Sequence, residues 1–155
     1  MSEVKPIPDN YPRLAPYLCV DGGDAAIEFY TRVLGASERG GRLRMPDGGV
    51  GHAELELGDA LLMLSDEAPE MGIVGPRAIG GTPVTLNLYV EDVDAVFAKA
   101  IEAGAKQLRP VEDQFYGDRS GQFEDPFGHR WSVSTHVEDV SPEEMQSRAA
   151  DAMGG

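Results

Sequence analysis

The sequence predicts an α+β fold in which a module of one strand, one helix and three further strands occurs twice in tandem. Two matches at one spacing predict this duplication. Residues 51–66, GHAELELGDALLMLSD, match residues 121–136, GQFEDPFGHRWSVSTH, at an offset of 70 positions. LCVDGGDAAIEF, which begins at Leu18, matches LYVEDVDAVFAK, which begins at Leu88, at the same offset. Two separate segments that share one offset indicate a repeated module rather than chance similarity.

The first module is predicted from its hydrophobic spacing. Residues 16–20, PYLCV, read as a short strand that residues 21–23 turn into a helix. In residues 24–34 the apolar side chains Ile27, Tyr30 and Leu34 recur at helical spacing, and Gly35 supplies a left-handed stop. We predict that three strands follow, over residues 37–45, 51–57 and 60–65, with glycine-containing turns between them.

The second module repeats this order. Residues 84–90, VTLNLYV, are rich in β-branched and aromatic side chains and predict a strand. Asp92 is placed to cap a helix that ends at Gly104. The last three strands of the module are predicted over residues 106–111, 122–125 and 130–136, with residues 116–119 in a loop between the first two of them.

We expect the whole chain, residues 1–155, to form one domain with the following parts. Module one spans about residues 12–66 and module two about residues 84–137. Between them, residues 67–83 contain four glycines and three prolines, a composition typical of a linker. Beyond module two, Ser141 and Glu144 have the spacing of a capping box, which predicts a short helix over residues 142–152.

Composition narrows the classes of function. No apolar run approaches the roughly 20 residues that cross a bilayer, and the first residues lack the pattern of a signal peptide, so we expect a cytoplasmic protein that does not enter membranes. The single cysteine, Cys19, fits a reducing compartment. A net charge of −14 repels phosphate backbones, which makes nucleic acid an unfavourable partner, while it suits either simple solubility or a cationic ligand.

Strand alternation assigns the two faces of the sheets. Apolar positions such as Leu18 and Val20 belong under the helices, as do Trp131 and Val133. The opposite face then carries mostly polar and aromatic side chains: Tyr17, Cys19, His52, Glu54, Glu56, Thr85, Asn87, Tyr89, Arg130, Ser132, Ser134 and His136. A polar face that also carries tyrosines favours a concave small-molecule pocket over an ordinary solvated face.

The doubled module, closed by DPFGHRW, resembles the vicinal oxygen chelate superfamily, which includes glyoxalase I, bleomycin-resistance proteins and extradiol dioxygenases. The likeness runs over about residues 12–140 and is strongest to PhnB-like and uncharacterised glyoxalase-like members. It rests on GHAELELGDALLMLSDE, YVEDVDAVF and PVEDQFYGDRSGQFEDPFGHRW, in that order. The resemblance implies a curved mixed eight-stranded sheet with helices on its outer face, enclosing a pocket, and a homodimer.

The resemblance also implies where a metal would bind, because metal-using members take ligands from the first and last strand of each module. Those positions fall at Ala15, Leu62, Thr85 and Ser132. None of these side chains is a competent ligand for a divalent ion, and a shift by one residue to Pro16, Met63 or Val133 is no better. We therefore predict no cofactor and no metal at the usual site. A divalent metal is left only a non-standard site around His52 and Glu54, and the competing interpretation is that these charges pair with Arg42, Arg44 or Arg130.

The sequence is compatible with two main functions, and a pure interaction module is a weaker third hypothesis. The first is a metal-independent protein that binds a small molecule. Its ligand-binding residues are predicted to be Tyr17, Asn87, Tyr89, Tyr116, Arg119, Arg130 and Ser132. The second is a lyase, isomerase or dioxygenase that uses the displaced metal or metal-free acid–base groups.

For the enzyme, the candidate catalytic residues are His52, Glu54 and Glu124, since a carboxylate or imidazole suits proton abstraction next to a carbonyl. Arg119 suits a bidentate contact with an anionic group or a surface salt bridge. Cys19 is either a nucleophile or an inert small apolar side chain.

Overall fold

The computed structural model describes residues 3–154, and its contacts divide the chain into two compact units that meet in sequence at Gly80 and Gly81. Each unit holds one module, so the predicted tandem βαβββ arrangement is confirmed. Within the described residues, no helix combines the length and the apolar character needed to cross a bilayer.

The first unit contains one four-stranded sheet and one long helix. Its sheet has the order β1-β4-β3-β2, in which β1 runs parallel to β4 and the other neighbours are antiparallel. The elements are β1 (Tyr17–Val20), α1 (Gly23–Leu34), β2 (Ser37–Arg44), β3 (Val50–Leu57), β4 (Ala60–Asp66), a 3₁₀ turn (Pro69–Met71) and the short helix α2 (Pro76–Ile79). The predicted linker thus holds only two short helical turns.

The second unit repeats this topology with the sheet order β5-β8-β7-β6. Its elements are β5 (Thr85–Tyr89), α3 (Val93–Glu102), β6 (Lys106–Asp113), β7 (Asp118–Glu124), β8 (Arg130–His136) and α4 (Pro142–Gly154). The predicted loop over residues 116–119 is wrong for its second half. Asp118 and Arg119 already belong to β7, because they pair with His136 and Thr135 across the antiparallel ladder.

Apolar side chains cover the helix-facing side of each sheet. In the first unit, Leu55, Leu62 and Leu64 are fully buried with Tyr30 of α1. In the second unit, Phe97 of α3 packs edge to face against Phe123, with ring centroids 6.0 Å apart. Gly121 makes this packing possible, since an added Cβ would lie 2.9 Å from the ring of Phe97.

The buried carboxylate of Asp125 explains the DPFGHRW motif. One oxygen, Oδ1, accepts hydrogen bonds from the backbone N–H groups of Phe127 and His129, each at 2.9 Å. The other, Oδ2, accepts from the indole N–H of Trp131 at 2.9 Å. The motif therefore holds the turn between β7 and β8 and fixes Trp131 in the core.

Strand register shows that the two modules do not keep one offset to their ends. Leu18 of β1 pairs with Leu64, whereas Leu88, its counterpart 70 positions later, pairs with Val133. Leu64 and Val133 are therefore equivalent, at an offset of 69 rather than 70. Glu54 and Gln122, which pair with Met63 and Ser132, are only 68 positions apart, so the second module is two residues shorter before β7. Its hairpin is then one residue longer, because Leu57 pairs with Ala60 across two turn residues while three residues separate the bonded pair Asp125 and His129.

This register corrects the predicted metal position at Leu62. Leu62 pairs with Leu55 on the helix-facing side and is 1% exposed, so it is equivalent to Trp131 and not to Ser132. The residue equivalent to Ser132 is Met63, which pairs with Tyr17 and Glu54 on the other face.

Candidate functional site

The first unit brings three of its predicted polar residues into one hydrogen-bonded chain. Tyr17 on β1 and Glu54 on β3 both pair with Met63, which places them in one row on the face away from α1. His52 lies two residues before Glu54 and shares that face. The Tyr17 hydroxyl oxygen lies 2.7 Å from His52 Nδ1, and His52 Nε2 lies 2.9 Å from Glu54 Oε2.

The direction of each hydrogen bond follows from the ionised carboxylate. An ionised carboxylate only accepts, so the proton of a neutral His52 sits on Nε2 and points at Glu54. Nδ1 is then the acceptor, and the Tyr17 O–H donates to it. The chain of donors therefore runs from Tyr17 through His52 to Glu54.

Tyr11 and Arg39 complete the surroundings of Glu54. The Tyr11 hydroxyl donates to both carboxylate oxygens, at 3.0 and 3.1 Å, and Arg39 lies over the Tyr11 ring at 4.5 Å. The hydrogen bond from His52 and that from Tyr11 lower the pKa of Glu54. Glu54 is thus held as an anion with all its donors in place, which argues against its predicted role as the group that abstracts a proton.

The donors on this face do not fit a divalent ion. Both ring nitrogens of His52 already have partners, and Glu56 turns toward Arg39, with 3.9 Å between Arg39 Nε and Glu56 Oε1. Across residues 3–154, no group of three or more histidine, cysteine, aspartate and glutamate side chains is arranged to hold a metal. Met63 offers only a thioether, a soft donor unsuited to hard cations.

Arg42 and Arg44 do not pair with His52 or Glu54, so that interpretation of the charged cluster is wrong for these two residues. Both guanidinium groups bind Asp24 at the start of α1, and Arg42 also binds Glu38. Asp24, Glu38 and Arg42 also line a groove of about 600 Å³ between α1 and β2. Because Asp24, Glu38 and Arg42 are already paired with one another, we assign no function to this groove.

The second unit carries polar rows across three neighbouring strands. Asn87, Ser132 and Gln122 are direct cross-strand partners and therefore share the face away from α3. This row occupies the same place in its module as the row of Tyr17, Met63 and Glu54 in the first. On one side of it lie Thr85, Arg130 and Glu124, and on the other Tyr89, Ser134 and Ser120.

A buried carboxylate anchors one end of this polar face. Asp118 is 6% exposed, and its Oδ2 accepts a hydrogen bond from the Tyr89 hydroxyl at 2.7 Å. Its Oδ1 lies 2.9 Å from His136 Nδ1, and His136 Nε2 lies 2.7 Å from Asp139. The hydrogen bond to Asp118 is the main cause that raises the pKa of His136, and the hydrogen bond to Asp139 is the second. The hydrogen bond to Asp118 raises the pKa of Tyr89.

The remaining predicted residues differ in how far their side chains are already engaged by neighbouring residues. Arg119 binds Asp94 through two nitrogens, at 2.9 and 3.0 Å, and also binds Asp113. Of its two expected roles, the surface salt bridge is therefore the one adopted. Tyr116 stacks edge to face on Phe115 and is 38% exposed. Glu124 is the cross-strand partner of Arg130, which places opposite charges side by side.

Cys19 is unsuited to nucleophilic chemistry. Partial burial, together with the carboxylates of Glu67, Asp66 and Asp21, raises the pKa of the Cys19 thiol to about 11. A thiol with that pKa is almost wholly protonated at neutral pH, and the thiolate is the reactive form.

Sequence reasoning missed two residues of these sites, Tyr11 and Asp118. Tyr11 lies in a proline-containing arm without periodicity, 43 positions from its partner Glu54, so no local pattern could find it. Asp118 was predicted to lie in a loop. The start of β7 is the signal that would have found it, since the alternation of Asp118, Ser120, Gln122 and Glu124 continues the polar face.

A family model confirms the class of protein that this fold defines. Residues 12–133 match the Glyoxalase/Bleomycin resistance protein/Dioxygenase superfamily, and the chain belongs to that superfamily. Two topologically identical βαβββ units are in keeping with the match.

Individual relatives place the chain more closely. It is 44% identical over 139 residues to uncharacterised proteins of Mycobacterium bovis and Mycobacterium tuberculosis, covering 88% of this chain and 91% and 81% of those proteins. Among solved structures, TioX from Micromonospora sp. ML1 shares 27% identity with a TM-score of 0.61 over 81% of this chain and 99% of TioX. A PhnB protein of Bacillus cereus shares the fold, with a TM-score of 0.65 and 22% identity over 80% of this chain and 99% of that one.

Proposed function

We propose that the chain binds a small organic molecule, without a metal, on the polar sheet face of its second unit. The observation that carries the proposal is the row of Asn87, Ser132 and Gln122, which crosses three strands at the centre of that face. A central row on a sheet that served only stability would gain more from β-branched or aromatic pairs. Membership of a superfamily that includes bleomycin-resistance proteins supports the same reading.

The chemistry of the face indicates what such a molecule would carry. Two amide side chains and a hydroxyl supply both donors and acceptors, so the ligand has polar groups of both kinds. Tyr89 is 59% exposed, and because its O–H donates to Asp118, its oxygen is left as an acceptor beside an aromatic face. An aromatic face with an acceptor oxygen favours a cationic group. The net charge of −14 favours it too.

Arg130 and Arg119, two of the predicted ligand contacts, differ in whether the side chain could bind a ligand. Arg130 is exposed at the edge of the row and is retained as a contact. Arg119 is not, because releasing it would break its ion pairs with Asp94 and Asp113.

Isothermal titration calorimetry against a panel of cationic glycopeptides and aminoglycosides tests the proposal. We expect saturable binding by the native protein and at least about fivefold weaker binding by Asn87→Ala and Ser132→Ala, since each lost hydrogen bond costs about 1 kcal/mol or more. Lys99→Ala, on the exposed side of α3, is the matched control and should bind like the native protein. No saturable binding, or equal affinity in all variants, would refute the proposal.

We also propose that the protein is a cytoplasmic homodimer. The support is the family resemblance, together with the reducing environment that a single cysteine suits. Light scattering coupled to size-exclusion chromatography measures the state directly, and a mass near the 16.7 kDa of one chain would overturn the dimer.

The alternative function is enzymatic, as a lyase, isomerase or dioxygenase. A displaced metal at His52 and Glu54 gains no support, because both ring nitrogens of His52 already have hydrogen-bond partners. Metal-free proton transfer is favoured by one specific observation, the hydrogen-bonded chain of Tyr17, His52 and Glu54.

A further inference from the structure

We propose that the first unit contains a metal-free proton-transfer site in which Tyr17 is the catalytic residue, His52 receives its proton and Glu54 positions His52. The proposal concerns a different unit from the ligand-binding face and does not depend on it. It goes beyond binding, because it assigns a chemical step to named atoms.

Tyr17 and Glu54 lie at opposite ends of one hydrogen-bonded chain. The distances of 2.7 Å from Tyr17 to His52 and 2.9 Å from His52 to Glu54 are those of normal to short hydrogen bonds, so the chain is continuous. Tyr17 is the outer member and is 53% exposed, whereas the Glu54 side chain at the inner end is only 13% exposed. A molecule in solvent can therefore approach Tyr17 more readily than Glu54.

The proposed step moves two protons. The ligand gives a proton to the Tyr17 hydroxyl oxygen, and the original tyrosine proton moves to His52 Nδ1. The electron pair of the broken bond stays on the ligand, which becomes an anion, and His52 becomes an imidazolium. No oxidant, reductant or metal is needed, and protonation of the product by the reverse path restores the chain.

Glu54 lies where it would stabilise a positive charge formed on His52. The imidazolium would form against Glu54, a carboxylate that Tyr11 already fixes through both oxygens. Partial burial is the main cause that raises the pKa of Tyr17, so a free tyrosinate is disfavoured. Tyr17 can therefore accept a proton only if it passes its own proton on at the same time, and His52 is placed to take it.

Serine hydrolases use a histidine and a carboxylate to activate a hydroxyl in a comparable way. Here the hydroxyl is a phenol, which is more acidic than an alcohol and a weaker nucleophile. The arrangement therefore suits proton transfer better than covalent attack. The ligand class it would take is a small molecule with a weakly acidic C–H, N–H or O–H group.

A general carbon-acid probe, 5-nitrobenzisoxazole, tests the step without knowledge of the natural ligand. Loss of its ring C–H proton to a base breaks the N–O bond and releases a coloured cyanophenolate. We expect the native protein to accelerate this reaction above the rate given by equal concentrations of free imidazole and phenol. Tyr17→Phe and His52→Gln should each lower the protein-dependent rate about 100-fold, the usual contribution of a positioned base.

Lys99→Ala, on the exposed side of α3 in the other unit, is the control variant, and it should stay within about twofold of the native rate. Thermal melts establish that each variant is folded. If the native protein is no faster than the free bases, or if folded Tyr17→Phe keeps the native rate, the proposal is wrong.

A solvent-isotope measurement separates proton relay from mere support of the strand. When two protons move together, the rate falls as a curved function of the deuterium fraction of the water, whereas a single proton gives a straight line. We expect a curve for the native protein. A straight line would contradict the relay.

Glu54 needs a test of its own, because it acts through His52. In ¹⁵N NMR spectra of the native protein, neutral His52 should carry its proton on Nε2. Glu54→Gln should give a mixture of tautomers and a lower rate, since an amide is able to donate to the ring as well as accept from it. A Glu54→Gln protein with an unchanged tautomer and an unchanged rate would remove Glu54 from the proposal.

Discussion

At the scale of single residues, the buried carboxylate of Asp125 holds the turn between β7 and β8. Asp125 is 1% exposed and accepts three hydrogen bonds, two from the backbone and one from Trp131. In Asp125→Asn the amide nitrogen would face at least one of these donors. We expect a loss of about 2–4 kcal/mol in the free energy of unfolding, because a buried donor is left unsatisfied.

Urea denaturation followed by tryptophan fluorescence measures this loss, and Trp131 is the only tryptophan. Asp151→Asn, at an exposed position of α4, is the control and should change stability by less than about 0.5 kcal/mol. Equal stability of the two variants would show that Asp125 does not hold the turn.

His136 provides a prediction about pH. Its pKa is raised by Asp118 first and Asp139 second, so its protonated form stabilises the fold. This contribution is complete below the unfolded pKa of about 6.5 and is lost as pH rises through the higher folded pKa. The melting temperature of the native protein minus that of His136→Gln should therefore be largest near about pH 6 and shrink by about pH 9. A difference that grows with pH would contradict this ion-pair assignment.

Local patterns predicted most individual positions on the sheet faces but not the contacts between them. Alternation along β3 put His52 and Glu54 on one face, and the structure confirms that face. It could not show that Tyr17 completes the chain, because that contact depends on how β1 pairs with β4. It also could not show that Tyr11 reaches Glu54 from a distant segment, which is the contact that argues against Glu54 as a base.

At the scale of elements, the last strand of each module fixes the start of its helix. Asp66 at the end of β4 accepts from the backbone N–H groups of Gly22 and Gly23, and its other oxygen accepts from Val50. In the second module Thr135 accepts from the N–H of Val93 and donates to the carbonyl of Val90. Asp66 and Thr135 are 69 positions apart, which agrees with the register of β4 and β8.

Asp66 and the helix cap Asp92 offer a direct comparison. We expect Asp66→Ala to cost about 2–4 kcal/mol of stability, because three backbone donors lose their acceptor. Asp92→Ala removes one exposed hydrogen bond, from the N–H of Ala95, and should cost about 1 kcal/mol. Chemical denaturation of the two variants provides the ranking. A larger loss for Asp92→Ala would mean that the link between strand and helix is not what fixes α1.

The lengths of helices and strands were predictable because each has its own hydrophobic period and its own stop signals. Gly35 has a left-handed backbone, with φ of 73°, and ends α1 as its position in the sequence predicts. The turn lengths were harder. The second module is two residues shorter before β7 and one residue longer in the turn between β7 and β8, and this net loss of one residue is why Leu62 was wrongly matched to Ser132.

At the scale of the whole molecule, duplication made the fold predictable while the function remained open. Equivalent places in the two modules have taken different side chains, with Tyr17, Met63 and Glu54 in one and Asn87, Ser132 and Gln122 in the other. A repeated backbone therefore carries two different polar rows. Fold follows from what the copies share, and the proposed chemistry follows from where they differ.

The net charge of −14 leads to a prediction for the chain as a whole. Twenty-seven acidic residues face thirteen basic ones, so most carboxylates have no basic side chain to pair with, and their mutual repulsion opposes the folded state. The exposed ion pairs, such as those of Arg119 and Arg148, each stabilise the fold by about 0–1 kcal/mol, and dissolved salt screens them as well as the repulsion. Because repulsion involves more charges than attraction does, we expect added salt to stabilise the protein.

Raising NaCl from about 0.05 to about 0.5 M shortens the screening length from roughly 14 to roughly 4 Å, which covers the spacing of neighbouring surface charges. The melting temperature should rise by a few degrees, and KCl should give the same rise if screening rather than sodium binding is the cause. A fall in the melting temperature would mean that the ion pairs outweigh the repulsion. The acidic surface would then be part of what holds the fold together, and its excess charge would no longer count as support for a cationic ligand.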